Sequence, residues 1–480
     1  MDLPGRARPV TPSAPLARLT DVIVKASGKP FAVGGAVRDG LLGIRSKDVD
    51  VEVYGLPLPD LERALVNAGL NVHAVGRAFG VLKVDVIAGD ERETIDVALP
   101  RSESKSGAGH KGFVIATDEN LPFDVAAARR DFTINAIGQD LISGDVVDPH
   151  GGVFDLERGV LRHVSAAFDE DPLRVLRGAQ FCARFGLSMH ADTVERCRAL
   201  RPELSTLAAE RIGEELKKLL IKGVWPSLGL QVLLRTGVVA ALFPELLALV
   251  GCPQEPEWHP EGDVWTHTLM VTDEAARLAR EHQLPEREAL LLVLAALCHD
   301  VGKPGTTAVE GGRIRSRDHE RQGEGPTRSF CARLGVAKDD VEVIVALVKD
   351  HLKPFHLWRE REQLNDAAIR RLALRVPVPL LCLVARADHF GRTTPDALLH
   401  DDPAGEWLLE RAAALAVIDE APRPLLQGRD LQAVGLSPGK EFGAILKASF
   451  EAQLDGVFND HDGAVAWLKA RLAGRDQGGT

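Results

Sequence analysis

Between Lys47 and Val53 the chain reads Lys-Asp-Val-Asp-Val-Glu-Val. Successive side chains on a strand point to opposite faces, so Asp48, Asp50 and Glu52 take one face and Val49, Val51 and Val53 the other. Three like charges stacked along one face repel, and either a wet edge strand or a cation between them must accommodate the repulsion. Two carboxylates two residues apart are suitably placed to hold Mg²⁺ for phosphoryl transfer. Just upstream, Val33-Gly-Gly-Ala-Val-Arg-Asp39 carries a strand through two glycines into a helix. Gly34 and Gly35 let the backbone approach a phosphate closely, the helix start adds N–H donors, and Arg38 stands within reach of a triphosphate.

The residues around this pair of features pattern as a mixed α/β domain. Short β-type runs at Phe31–Val33, Val49–Val53, Val81–Ile87 and Thr94–Leu99 are separated by Gly and Asp turns, and Gly89-Asp90 makes the last two a hairpin. Helical spacing appears at Leu16–Ala26 and Leu61–Ala68. From about Asp169 the pattern is almost wholly helical, through Leu173–Phe185, Val194–Leu200, Ala208–Leu220 and Leu228–Leu234. Three prolines in Gly251–Pro260 mark a boundary, a second helical domain runs to about Arg392, and a break near Thr394–Pro403 precedes a last helical segment.

A chain of 480 residues exceeds what one core supports, so two to four domains are expected. The net charge of −11 argues against coating nucleic acid by charge alone, while leaving room for a local basic cleft. Cys182, Cys197, Cys252, Cys298, Cys331 and Cys382 include no CxxC pair and are expected as buried, reduced thiols. The Pro-broken N-terminus has no apolar signal core, and no run is long enough to span a bilayer, so the expected location is cytoplasmic, away from membranes.

Three motifs now meet in one order. Gly34–Asp39 with Asp48–Asp50, then Arg129-Arg-Asp-Phe-Thr-Ile-Asn-Ala136, then Glu170-Asp-Pro-Leu-Arg174 followed by Arg177, resemble the class II tRNA nucleotidyltransferase and bacterial poly(A) polymerase superfamily. That superfamily is a branch of the polymerase-β-like nucleotidyltransferases, and the resemblance spans at least Phe31–Leu220. It implies that Asp48 and Asp50 bind catalytic Mg²⁺, and that Asp96 either assists them or is an ordinary hairpin aspartate. Gly34, Gly35, Arg38, Asp39, Arg101, Arg130, Asp131 and Asn135 would then hold the sugar and triphosphate. Ser102–Phe113 takes the position of the family's flexible loop, where a mobile loop and a catalytic lid read alike.

Glu170, Asp171, Arg174 and Arg177 fall where the family selects its nucleotide. On one helix Asp171 or Glu170 would stand beside Arg174, which by itself describes a simple salt bridge. As a pair, a carboxylate acceptor and a guanidinium donor also imitate a base edge. Cytosine and adenine each offer an amino donor beside a ring-nitrogen acceptor, whereas uracil and guanine reverse the order. A fixed Asp–Arg pair therefore accepts C and A without a template, the logic of CCA addition to tRNA from CTP and ATP.

Farther along, the apolar helix Glu288–Cys298 ends in His299-Asp300-Val-Gly302. With His267 before it and Asp388 after it, this order resembles the HD-domain metal phosphohydrolases; His319 and His351 sit where two-metal members place further ligands. Imidazole and carboxylate ligands suit Mn²⁺, Fe²⁺, Ni²⁺ or Co²⁺. The resemblance implies phosphodiesterase or phosphatase activity on 2′,3′-cyclic RNA ends, and a decayed, purely structural HD fold is the alternative.

The expected architecture is α+β: a polymerase-β-like head (1–155), an all-α neck (156–250), an HD domain (255–400) and a helical tail (405–480). Poly(A) polymerases and partial enzymes adding only A or only CC share the same motifs. A rival of another class is a phosphohydrolase whose head serves only to bind RNA.

Overall fold

The computed structural model describes residues 9–46, 48–76, 80–105, 113–418 and 420–476. Lys47 and the middle of the Ser102–Phe113 loop (106–112) lie outside the described residues. The chain forms two compact units, Met1–Leu242 and Phe243–Thr480.

The first unit is built on a mixed sheet. Its strands are β1 (Lys29–Val33), β2 (Asp50–Tyr54), β3 (Asn71–Gly76), β4 (Val81–Ala88) and β5 (Glu91–Ala98). A separate hairpin pairs β6 (Arg101–Lys105) with β7 (Phe113–Thr117), and β8 (Gly138–Asp140) and β9 (Val146–Val147) return to the main sheet. The order is β3-β4-β5-β2-β1-β8-β9, and β2 with β5 is its parallel pair.

Alternation explains the layering. Val51, Val53, Leu82, Val84, Val86, Ile95 and Val97 point inward and meet Leu16, Leu19 and Ile23 of the helix Ala14–Lys25. Each of these side chains, fully buried, contributes roughly 1.5–3 kcal/mol.

One strand boundary differs from the sequence expectation. β2 starts at Asp50, so Asp48 lies before the ladder and only Asp50 and Glu52 share its face. The cause is the partner strand: Asp50 pairs with Val33, the last residue of β1, after which Gly34 turns the chain away at φ +72°.

The remainder of the first unit is helical, with Arg174–Phe185 packed against Ala209–Lys222 and Pro226–Arg235. In the second unit four helices, Val264–Glu281, Glu286–Cys298, Lys338–Asp350 and Val378–Phe390, surround one buried polar centre. The Pro-rich stretch Gly251–Pro260 lies inside this unit. It is tied down where Val264 N donates to the Cys252 carbonyl and Gly251 N to the Asp263 carboxylate.

Residues beyond 403 add helices Pro403–Ala414, Lys440–Leu454 and His461–Asp476, with a small core of Leu431, Ile445, Phe458 and Leu468. The six cysteines are buried free thiols, and burial pushes Cys182, Cys197 and Cys382 up to about 12. Among the described residues no helix is long and apolar enough to cross a membrane.

Candidate catalytic and metal sites

The acidic site of the first unit is made by strand register. Parallel pairing of β2 with β5 sets Asp96 directly beside Asp50. Desolvation by the surrounding chain, then the Asp96, Asp48 and Glu52 carboxylates, raise the Asp50 carboxyl above its ordinary value against the pull of Arg130. Such mutual repulsion among acceptor-only groups is what a hard divalent cation relieves, so the donor set fits one. Glu52 has other partners: the Tyr54 hydroxyl donates to it at 2.6 Å, and Arg130 lies 3.7 Å away. Gly34 is required here, because a Cβ would stand 3.0 Å from Arg130 Nη1 and the backbone is left-handed.

Behind this acidic face runs a chain of buried polar contacts joining the three motifs. Arg38 Nη1 donates to Asn135 Oδ1 at 2.5 Å, and Asn135 Nδ2 donates to Asp131 Oδ1 at 2.8 Å. Asp131 Oδ2 then accepts from Arg177 Nε and Nη2 at 2.9 and 2.7 Å. Burial alone would raise the Asp131 carboxyl, but Arg177, Asn135 and the Phe132 N–H hold it below its ordinary value. Arg38 itself is 4% exposed, paired with Asp39 and stacked on Phe181 and Phe185. In this conformation its guanidinium orients Asp39 and Asn135 and does not project toward solvent. Arg101 is exposed at the start of β6.

The Glu170–Arg174 motif departs from the helical reading. A 3-10 turn ends at Glu170, Asp171 is extended at φ −129° and ψ 104°, and the helix begins at Arg174. The residue before a proline avoids the helical region, and Asp171 precedes Pro172. Consequently Glu170 pairs with Arg129 at 2.7 Å and Asp171 with Arg211 at 3.0 Å. Arg174 donates to the carbonyls of Ala167 and Arg129 at 2.6 and 3.0 Å. The expected intrahelical Asp171–Arg174 pair is therefore corrected to two separate arrangements.

In the second unit the six expected ligands converge. His267, His299 and Asp388 form one group, and Asp300, His319 and His351 another, with donor atoms within 4.8 Å inside each. Three imidazoles anchor Nδ1 on the carbonyl three residues earlier: His299 on Ala296 at 2.7 Å, His319 on Ser316 at 2.8 Å, His351 on Val348 at 2.6 Å. A carbonyl only accepts, so each Nδ1 carries a hydrogen, and in the neutral ring each Nε2 presents a lone pair inward. His267 Nδ1 faces Glu261 Oε1 at 2.9 Å, which turns its Nε2 toward Asp388 at 3.0 Å and His299 Nε2 at 3.3 Å.

Acceptors facing acceptors at these distances call for a cation at their centre. Both Asp300 oxygens and His319 Nε2 are buried without a completed hydrogen bond. The residues thus fit a divalent metal, while Lys303 and Arg392 each lie 2.7 Å from the carboxylates of Asp300 and Asp388. Burial and the neighbouring imidazoles push His351 down to about 3, keeping it neutral. Gly302 is indispensable to the packing, since a Cβ would sit 2.0 Å from the His319 carbonyl.

Several of these groups escaped sequence reasoning. Glu261, Lys303, Arg392 and Arg211 carry no motif. Glu261 follows a Pro-rich stretch that reads as a linker, and Arg211 is one arginine on an amphipathic helix.

Known proteins supply three matches along the chain. Residues 30–162 match the family described as the Poly A polymerase head domain, 186–249 the probable RNA and SrmB-binding site of polymerase A, and 264–393 the HD domain. The multifunctional CCA protein of Xanthomonas campestris pv. campestris is 38% identical over 430 residues, 88% of this chain and 97% of that protein. The multifunctional CCA protein of Stenotrophomonas maltophilia is 38% identical over 438 residues, covering 88% and 98%. Among solved structures, the Bacillus stearothermophilus CCA-adding enzyme in complex with CTP shares the fold over 97% of this chain and 100% of that one, with TM-score 0.64 and 21% identity.

Proposed function

This chain belongs to the family of multifunctional CCA proteins, and from that premise we propose that it adds C, C and A to the 3′ end of tRNA, taking CTP and ATP without a template. The observation that carries the reading is the β2–β5 register, which gathers Asp50 and Asp96 beside Asp48. Asp48 and Asp50 would hold Mg²⁺, which when bound supplies activation of the RNA 3′-hydroxyl and charge neutralisation at the triphosphate. The 3′-hydroxyl attacks the α-phosphate and pyrophosphate leaves.

The chain's own groups do the positioning. The turn at Gly34 and Gly35 leaves room for phosphate, Arg130 supplies positive charge beside the acidic strand, and the Arg38–Asn135–Asp131–Arg177 network fixes the sugar-binding side. Asp171 and Arg174 remain the base-reading pair. Reading a base requires Asp171 to exchange Arg211, and Arg174 its two carbonyls, for the amino and ring-nitrogen groups of C or A.

In the HD domain His267, His299, Asp388, Asp300, His319 and His351 would hold Mn²⁺, Fe²⁺, Ni²⁺ or Co²⁺, which supplies Lewis acidity toward a phosphoester. That supports hydrolysis of 2′,3′-cyclic or 3′-phosphate RNA ends, a repair that prepares the end for addition. A tRNA substrate would set this work in the cytoplasm.

The test incubates the protein and Mg²⁺ with tRNA lacking CCA, offering each nucleotide separately and then together. Addition of C, C and A that stops there upholds the reading. A long A tail, or arrest after CC or after A, assigns a poly(A) or partial transferase. No incorporation leaves the HD hydrolase as the working enzyme, with the head as an RNA-binding module.

A further inference from the structure

The metal-ligand cluster of the second unit opens into a cavity of about 810 Å³, lined on one side by Asp300, His319, His351 and Asp388. A phosphate group with a few waters needs only a small part of that space, whereas the volume lies in the range that takes a whole small-molecule ligand. The rest of its wall is mainly polar and charged, and Trp258, Phe355 and Trp358 stand in it as aromatic faces. Trp258 and Phe355 line it with 54% and 52% of their surfaces exposed, so both rings offer open faces to a molecule in the cavity.

Both rings are held in place by the chain around the ligands. Phe355 follows His351 by four residues on the helix Lys353–Arg359, and Trp258 precedes Glu261, the partner of His267, by three. Four residues span at most about 14 Å, and both rings line the cavity into which the cluster opens. The Trp258 loop is pinned: Trp258 N donates to the Glu255 carbonyl, and Glu255 Oε2 accepts from Ile314 N at 2.8 Å. Arg315 and Arg359 line the same space together with Asp396, Asp401 and Asp402, so the two apolar rings stand in a wall of mixed charge.

We infer that Trp258 and Phe355 form a nucleobase subsite of the HD domain, which stacks the base of a 3′-terminal nucleotide while its phosphate lies over the histidine–carboxylate cluster. Base–aromatic stacking is sequence-tolerant, because every base has a π-face. The subsite therefore accepts any terminal nucleotide, unlike the head. The inference rests on the phosphohydrolase reading of this domain and adds to it the two side chains that hold the base.

The test uses the full chain loaded with Mn²⁺, Ni²⁺ or Co²⁺, its Trp258→Ala and Phe355→Ala variants, and Phe355→Trp as the conservative control. Hydrolysis is followed on adenosine 2′,3′-cyclic phosphate and on methyl riboside 2,3-cyclic phosphate, which keeps the reacting ester and lacks the base. Each alanine variant should raise KM about tenfold for the nucleotide, leave KM for the base-free ester unchanged, and keep kcat within about twofold. Phe355→Trp should retain the original KM. Equal changes for the two esters, or no change for either, overturn the subsite.

If the original protein hydrolyses neither ester, the phosphohydrolase reading fails, and calorimetric binding of 3′-AMP decides the subsite separately. Tenfold weaker binding by Trp258→Ala sustains it and unchanged binding removes it. Nucleotide held by the head is common to both proteins and cancels.

Discussion

Asp131→Asn is a near-isosteric change at the middle of the network that joins the three head motifs. The carboxylate is buried, accepts four hydrogen bonds, and its main cationic partner Arg177 keeps 37% of its side chain exposed. Breaking a fully buried pair costs about 3–5 kcal/mol, but solvent screens the half-open guanidinium, so roughly 2–3 kcal/mol is expected. An amide also brings its NH2 against either Arg177 or the Asn135 and Phe132 donors, whichever way it turns. For a unit of Met1–Leu242 that loss lowers the midpoint by roughly 4–12 °C.

Scanning calorimetry of the full chain reads it, with the first-unit transition assigned as the one that CTP shifts upward. The pH sign follows from the depressed Asp131 carboxyl: its stabilisation is present above the unfolded value of 3.8 and is lost as pH falls through the folded value. The variant should lack that acid-side loss. Adding Arg177→Met to Asp131→Asn should cost less than the two separate losses summed. A midpoint within about 1 °C of the parent, or full additivity of the double variant, refutes the network argument.

Asp50→Asn should abolish nucleotide incorporation in the tRNA assay while leaving metal-dependent phosphoester hydrolysis intact, and loss of both would contradict two separate sites. Gly34→Ala strains a left-handed residue and presses on Arg130, so incorporation should fall at least about tenfold with KM for CTP raised. Glu261→Gln should weaken metal binding in the HD domain by about 10–100-fold, read by competition with a chelating dye, because His267 loses the carboxylate that orients it. Chelation with EDTA followed by Ni²⁺ or Mn²⁺ alone should restore hydrolysis, whereas incorporation should require Mg²⁺.

What the sequence revealed was governed by locality. Alternation over Asp50–Val53 showed the acidic strand, and the order of His267, His299, Asp300 and Asp388 carried the resemblance to HD domains, because those features are written in nearby residues or in a fixed order. Asp96 stayed ambiguous since its adjacency to Asp50 comes from pairing two strands more than forty residues apart. The Glu170–Arg174 segment was misread as one helix although Pro172 carries the signal against it, since a proline biases the residue before it toward extended backbone. Glu261 and Arg211 were invisible because a lone carboxylate or arginine acquires meaning only from what lies across the fold.

Lys303 and Arg392 rest on the two carboxylates at the heart of the HD cluster. A small metal domain commonly depends on its ion to neutralise buried anions and collapses without it. Here the neutralising charges are covalently part of the chain, so the scaffold carries its own counterions. Part of the charge compensation at this centre is therefore fixed by covalent structure, before any cation binds.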